Sequence, residues 1–214
     1  MFKNMKLGTK LITGFSIVAV ITLVMGIAGY YGAVKSDQAI EEIGLVRLPS
    51  VNSLLVIMDN SESIRGSVRT LLIPNLPMEV RKRQYDNMTK AGEEYEKAWK
   101  IYEPLPKTLE EAELWKQFVP AWTAWRDENN KFFELSKQID GIVADRARFA
   151  LELEKASDMA LGSLTDKQRT AAALLDKLVQ INQIAAADTA KKAEAEANFM
   201  KVFSLTAMLI GVAL

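Results

Sequence analysis

Residues 11–34, LITGFSIVAVITLVMGIAGYYGAV, run for 24 positions without a charge. At 1.5 Å per residue such a helix is about 36 Å long, enough to cross a hydrocarbon core of about 30 Å with some tilt. Tyr30 and Tyr31 close the run, where amphipathic rings favour the headgroup region. Lys3, Lys6 and Lys10 precede it and the first acidic residue, Asp37, follows it, so its N-terminal side reads as cytoplasmic. A cleaved signal peptide would carry an apolar core of about 7–15 residues. This run is longer and leads straight into an amphipathic pattern, which makes it an uncleaved anchor.

A second uncharged run, VFSLTAMLIGVAL, fills 202–214. It is too short to span a bilayer and reads as the first half of a second transmembrane helix, with more chain expected beyond it. The expected organisation is a cytoplasmic N-terminus at 1–10, a first span at 11–34, an extracytoplasmic domain at 35–198 and the start of a second span at 199–214. The protein would then be a multi-pass protein of the cell inner membrane, with its domain on the periplasmic side.

Composition excludes much. There is no His and no Cys, so common zinc, copper and haem sites, disulfides, and Ser-His or Cys-His nucleophilic pairs are ruled out. No metal or cofactor is expected. Basic and acidic residues balance at 27 each, without the basic excess typical of a nucleic-acid binder. No pair of carboxylates stands out for acid–base chemistry, and no catalytic residue is assigned.

Helix signals divide the domain into four rods. Apolar residues from Ile40 through Val51, Leu54, Met58 and Val68 to Leu72 recur mostly at steps of three, four or seven. The prolines of IPNLP (73–77) end that helix, and a second runs from about Pro77 to Tyr102. The third opens on a capping box, Thr108-Leu-Glu-Glu111, and contains Pro120, which should kink it. Its aromatic stripe, Trp115, Phe118, Trp122 and Trp125, has the spacing of a core face. The fourth is expected to open near Ser163-Leu-Thr-Asp166, a second capping-box pattern; the turn within 140–162 is not placed. The fold class is therefore all-α: an antiparallel up-down four-helix bundle flanked by two transmembrane helices.

Two arginines break the pattern. Val51, Met58, Arg65 and Leu72 follow one another at steps of seven, so Arg65 occupies an apparently apolar position, and Arg69 lies one turn further. Guanidinium groups one turn apart repel each other and suit a bound carboxylate. The alternative is a structural pair with Glu62 or another acid.

MKLGTKLITGF (5–15), SIRGSVRTLL (63–72) and YEPLP (102–106), in this order of spans and helices, resemble the N-terminal half of a bacterial methyl-accepting chemotaxis receptor with a four-helix-bundle sensor domain. The resemblance implies a homodimer in a lipid bilayer. It implies a small anionic ligand, such as an amino acid or organic acid, held by Arg65 and Arg69. It also implies a polar contact from Ser163 or Thr165, with Thr165 taken as the site residue. Asn60 stands where that family has a further arginine. Output to cytoplasmic signalling partners would pass through chain beyond Leu214. The same layout also fits the input domain of a sensor histidine kinase or nucleotide cyclase, or a membrane-anchored scaffold without ligand.

Overall fold

The computed structural model describes residues 6–213. Among these there is no strand, and the helices are α1 (Leu7–Glu41), α2 (Leu48–Leu71), α3 (Met78–Tyr102), α4 (Leu109–Asp140), α5 (Arg146–Met159) and α6 (Thr165–Ala213). Two short π-helical stretches, Glu42–Arg47 and Ala160–Leu164, link α1 to α2 and α5 to α6 without a turn. The chain divides into two compact units, Met1–Leu45 with Ala185–Leu214, and Val46–Ile184.

In the first unit α1 lies against the C-terminal part of α6. Gly32 allows the approach: a Cβ there would stand 3.3 Å from Met200 Cγ. No described residue of α1 is buried. Among the described residues, the helix that begins at Leu7 is the one long and apolar enough to cross a membrane, and none of its most apolar window is covered by protein.

The second unit is the expected four-helix bundle, built from α2, α3, α4 and a fourth rod made of α5, the π stretch and the start of α6. Heptad-like rows fill its core. Leu54, Ile57, Ile64, Val68 and Leu71 of α2 face Phe118, Trp122, Trp125, Phe132 and Ile139 of α4. The fourth rod adds Leu164, Ala171, Leu175 and Leu178. The aromatic stripe is core: Trp122 packs on Trp125 and Tyr95 with ring centroids 4.5 and 5.0 Å apart.

Local chemistry sets the boundaries. Pro49, near the start of α2, has no N–H to donate to Leu45 and its ring crowds that carbonyl. The wider π winding just before it absorbs the misfit. Leu72 ends α2, and the turn to α3 passes through Asn75 at φ 57°, a left-handed conformation that Asn tolerates better than most residues. Thr108 caps α4 as its sequence predicts: its hydroxyl accepts from Glu111 N at 3.1 Å, and its own N–H donates to Glu111 Oε2 at 3.3 Å. Helix α4 then continues through Pro120 to Asp140.

One boundary differs from the sequence reading. The fourth rod opens at Arg146, not near Ser163, and its cap is Asp145, which accepts from Arg148 N at 3.1 Å. At Ser163 the chain is already helical. Gly162, at φ −94° and ψ −105°, breaks the α-helical winding there, and the π stretch around it carries the rod across. Ser163 is no cap; its hydroxyl donates to Glu128 Oε1 of α4 at 2.6 Å.

Candidate functional site

Arg65, Arg69 and Thr165 line one cavity between α2, α4 and the π stretch of the fourth rod. Each is brought there by a separate local feature. Arg65 and Arg69 are one turn apart on α2. Thr165 is the first residue of α6, and its hydroxyl donates to Ala160 O, at the start of the π stretch, at 2.7 Å. Trp125 and Asn129 of α4 form the back wall, and Gln168 closes one side.

The apolar row to which the steps of seven assign Arg65 is displaced by one position from the core. Among the buried positions on α2, Ser50, Leu54, Ile57, Ser61, Ile64, Val68 and Leu71 recur at alternating steps of four and three, with Ser53 and Ser67 buried beside them. Val51, Met58, Arg65 and Leu72 form the flanking, half-buried row. Four serines on the buried face, Ser50, Ser53, Ser61 and Ser67, hide the core row from a search for apolar residues. The Arg65 side chain is thus 37% exposed and forms an ion pair with Glu62, which also accepts from Gln168 Nε2 at 2.8 Å. Arg69 is exposed, and among the described residues no carboxylate pairs with it. The guanidinium groups therefore sit at the mouth of the cavity and not within the core.

The cavity itself is narrow, about 20 Å³, room for a single water. Beside it lies a cluster that sequence reasoning did not find. Glu128 is nearly buried on α4 and accepts from Lys167 Nζ at 2.6 Å and from Ser163 Oγ at 2.6 Å. Those two bonds hold its carboxyl down at about 2, against the opposing effect of burial. Glu128 thus ties α4 to the chain that follows the Gly162 break.

A second buried network joins all four rods. Arg47 Nη1 donates to Glu111 Oε2 at 2.8 Å and to Asn182 Oδ1 at 3.0 Å. Asn182 Nδ2 and the Tyr102 hydroxyl both donate to Glu111 Oε1, at 2.8 and 2.6 Å. Burial first, and then the hydrogen bond to the Glu111 carboxylate, push the Tyr102 phenol far above its ordinary range. A third network, at the other end of α3 and α4, pairs Arg81 with Asp140. Arg81 also donates to Ser136 Oγ and to Leu71 O, both at 2.9 Å.

These polar groups had a signal in the sequence. On α4 the row Glu111, Trp115, Phe118, Trp122, Trp125, Asn129, Phe132, Ser136, Ile139 keeps steps of four and three throughout. On the fourth rod Leu164, Gln168, Ala171, Leu175, Leu178 and Asn182 do the same. A polar residue inside such a row is buried, and needs a partner.

Comparison with known proteins adds a family. The model of a family described as a four-helix-bundle sensory module for signal transduction matches residues 4–197. A search of curated proteins finds no match. Among solved structures, a periplasmic sensor domain of a sensor histidine kinase superposes with a TM-score of 0.46 at 17% identity, covering 73% of this chain and 94% of that one.

Proposed function

The chain belongs to the family of four-helix-bundle sensory modules for signal transduction, and from that premise we propose that it is the sensing and membrane-anchoring part of a chemotaxis receptor whose input is a small carboxylate bound at Arg65 and Arg69. The observation that carries the reading is convergence. Two arginines of α2 and a threonine about a hundred residues later border one opening, next to the place where the fourth rod departs from α-helical winding. Irregular turns of this kind are frequent at functional sites.

The geometry suggests how binding would act. The cavity is too small for an amino acid, so the ligand sits at the mouth, its carboxylate on the arginines, with Thr165 in reach only if α2 and the fourth rod part slightly. Glu62 occupies Arg65 in the empty state; an arriving carboxylate exchanges with it. The ligand therefore favours one packing of the fourth rod over another, and that difference in affinity is the only energy available to drive a change. Shifts of about 1–2 Å between packed helices are of the right size. The exposed mouth leaves a place for a second copy to close the site, in keeping with a homodimer.

Several features support the anchoring half of the proposal. The N-terminal helix has the length and apolarity of a span with no protein covering it. Three lysines precede its apolar run, and Phe199, Val202, Leu205 and Leu209 near the end of α6 expose apolar surface as lipid-facing residues do. The receptor would be a multi-pass inner-membrane protein with the bundle in the periplasm, and it would have no catalytic activity of its own.

The test is a titration of the full chain in nanodiscs with amino acids and dicarboxylates, followed calorimetrically. A carboxylate that binds wild type and is weakened tenfold or more by Arg65→Leu and by Arg69→Lys fits the proposal. Unchanged affinity in both variants would sink it.

A further inference from the structure

At the end of the bundle where α2 turns into α3, an open groove of about 980 Å³ lies between that turn and α5. Ligand sites commonly fill about 300–1,000 Å³, so the groove has room for a molecule larger than one amino acid. It plays no part in the carboxylate reading. Arg146, Phe149, Ala150, Leu153, Glu154 and Ser157 give it one wall, and their steps of three and four make them a single face of α5. Leu72, Leu76 and Met78 line it from the other side. Its apolar surface is partly fixed and partly open to water: Leu153 is buried and Phe149 packs on the core, while Met78 and Val143 stay exposed.

The charges of the groove select among ligands. Arg81 reaches its wall but is buried and already paired with Asp140. Arg146 and Glu154 are exposed, and among the described residues neither side chain has an ion pair or a hydrogen bond. They are opposite in sign and eight residues apart, two turns or about 12 Å along α5, too far to pair with each other. Their complement is a molecule with a carboxylate at one end, an ammonium at the other and an apolar body between. An extended peptide rises about 3.3–3.6 Å per residue, so about three to four residues span that distance. Asn75, on the turn, also lines the groove and offers its amide to a peptide group. A fatty acid would leave Glu154 beside its tail, and a single amino acid cannot reach both charges. We infer that the groove between the α2–α3 turn and α5 is a second binding site, which takes a short apolar peptide with free ends, its carboxylate on Arg146, its ammonium on Glu154 and its side chains over Phe149, Leu153 and Met78. Such a peptide bridges the turn to α5, the first part of the fourth rod, by a route separate from Arg65.

Trivaline, N-acetyl-trivaline and trivaline amide test this, because each blocked form keeps the apolar body and loses one charge. Each is titrated calorimetrically into the full chain in nanodiscs. Trivaline should bind saturably, an excess of valine should not displace it, and either blocking group should weaken it about tenfold, the worth of one charge-assisted hydrogen bond. The pairing should be specific. Arg146→Gln should abolish the penalty of amidation and keep that of acetylation, and Glu154→Gln should do the reverse. Ala150→Trp, which fills the groove from the α5 side, should remove binding while helicity by circular dichroism is unchanged. Arg65→Leu should leave trivaline affinity as it is, which separates this site from the carboxylate proposal. The inference fails if trivaline does not bind, if the blocked peptides bind as well as the free one, or if binding survives Ala150→Trp. It fails equally if valine displaces trivaline, or if Arg65→Leu removes binding and so assigns the peptide to the other opening.

Discussion

At the scale of single residues, Arg65, Glu111 and Glu128 are paired before any ligand arrives. Glu62 holds Arg65, so Glu62→Gln should free the guanidinium and tighten carboxylate binding several-fold, read by the same calorimetry; a weaker affinity would make Glu62 part of the site instead. Glu111 is fully buried and accepts from Arg47, Asn182 and Tyr102. Truncating it to Ala leaves the Arg47 guanidinium buried without that carboxylate, which costs about 3–5 kcal/mol. Urea unfolding measures the loss, and Arg47→Met added to it should restore part, since removing both charges is far less costly than removing one. Glu128 gives a pH dependence of known sign. Its carboxyl is held at about 2 in the folded bundle, below the ordinary 4.5, by Lys167 and Ser163. The stability it contributes is complete above about 4.5 and is lost as pH falls from there toward 2, on the order of 2–3 kcal/mol in all once the partial solvation of Lys167 is allowed for. Between pH 6 and pH 3 wild type should lose more stability than Glu128→Gln; parallel curves would show that the pair with Lys167 adds nothing.

At the scale of elements, the fourth rod is the one whose winding is interrupted beside the Arg65 cavity. Arg146 to Met159 and Thr165 onward are ordinary α-helix, and five residues between them are not. Gly162 is the reason: it lowers the preference for α-helical winding by about 1 kcal/mol relative to Ala. A Cβ at Gly162 meets nothing within 4 Å, so Gly162→Ala should favour continuous winding without a clash. The outcome expected is slower amide exchange across 160–166 and a changed response to ligand, with little change in overall stability. Unchanged exchange there would show that tertiary contacts, chiefly Ser163 and Lys167 on Glu128, hold the irregular turn by themselves. The capping box of α4 and the proline-marked ends of α2 and α3 were legible in sequence because each is decided within four residues. The start of the fourth rod was not. Ser163-Leu-Thr-Asp166 has the composition of a cap, but capping needs a free helix end, and the chain preceding it is already helical.

At the scale of the whole molecule, the proposal makes residues 35–198 extracytoplasmic. Protease added to intact spheroplasts should cut the bundle and spare a tag on the N-terminus; protection of the bundle would overturn the orientation and the sensing role with it. The polar, Ala-rich stretch AAADTAKKAEAEA at 185–197 buries little apolar area. The isolated 35–198 fragment should therefore associate weakly, and firm dimerisation should require the membrane segments to raise local concentration. Sedimentation equilibrium distinguishes the two, a nanomolar dimer of the fragment being the adverse result.

The sequence by itself determined the class of the protein: an uncharged run long enough for a bilayer, four rods of which the first three are bounded by proline signals, and two arginines one turn apart. All of these depend on spacing along one chain, and helical periodicity turns spacing into a face. The register of those faces was decided only by tertiary structure. Ser50, Ser61, Asn129, Gln168 and Asn182 are polar, yet they lie on the buried rows, and Arg65, on a row of apolar neighbours, lies beside the core and not in it. A step of seven identifies a row but not which of two adjacent rows faces inward. Ser50 and Ser61 can turn inward because carbonyls of the preceding turn, Val46 O and Met58 O, accept from them, but for the larger amides the choice is made by partners on other helices, Glu111 for Asn182 and Glu62 for Gln168, because a buried amide needs a hydrogen bond that only a residue 70 or 100 positions away supplies.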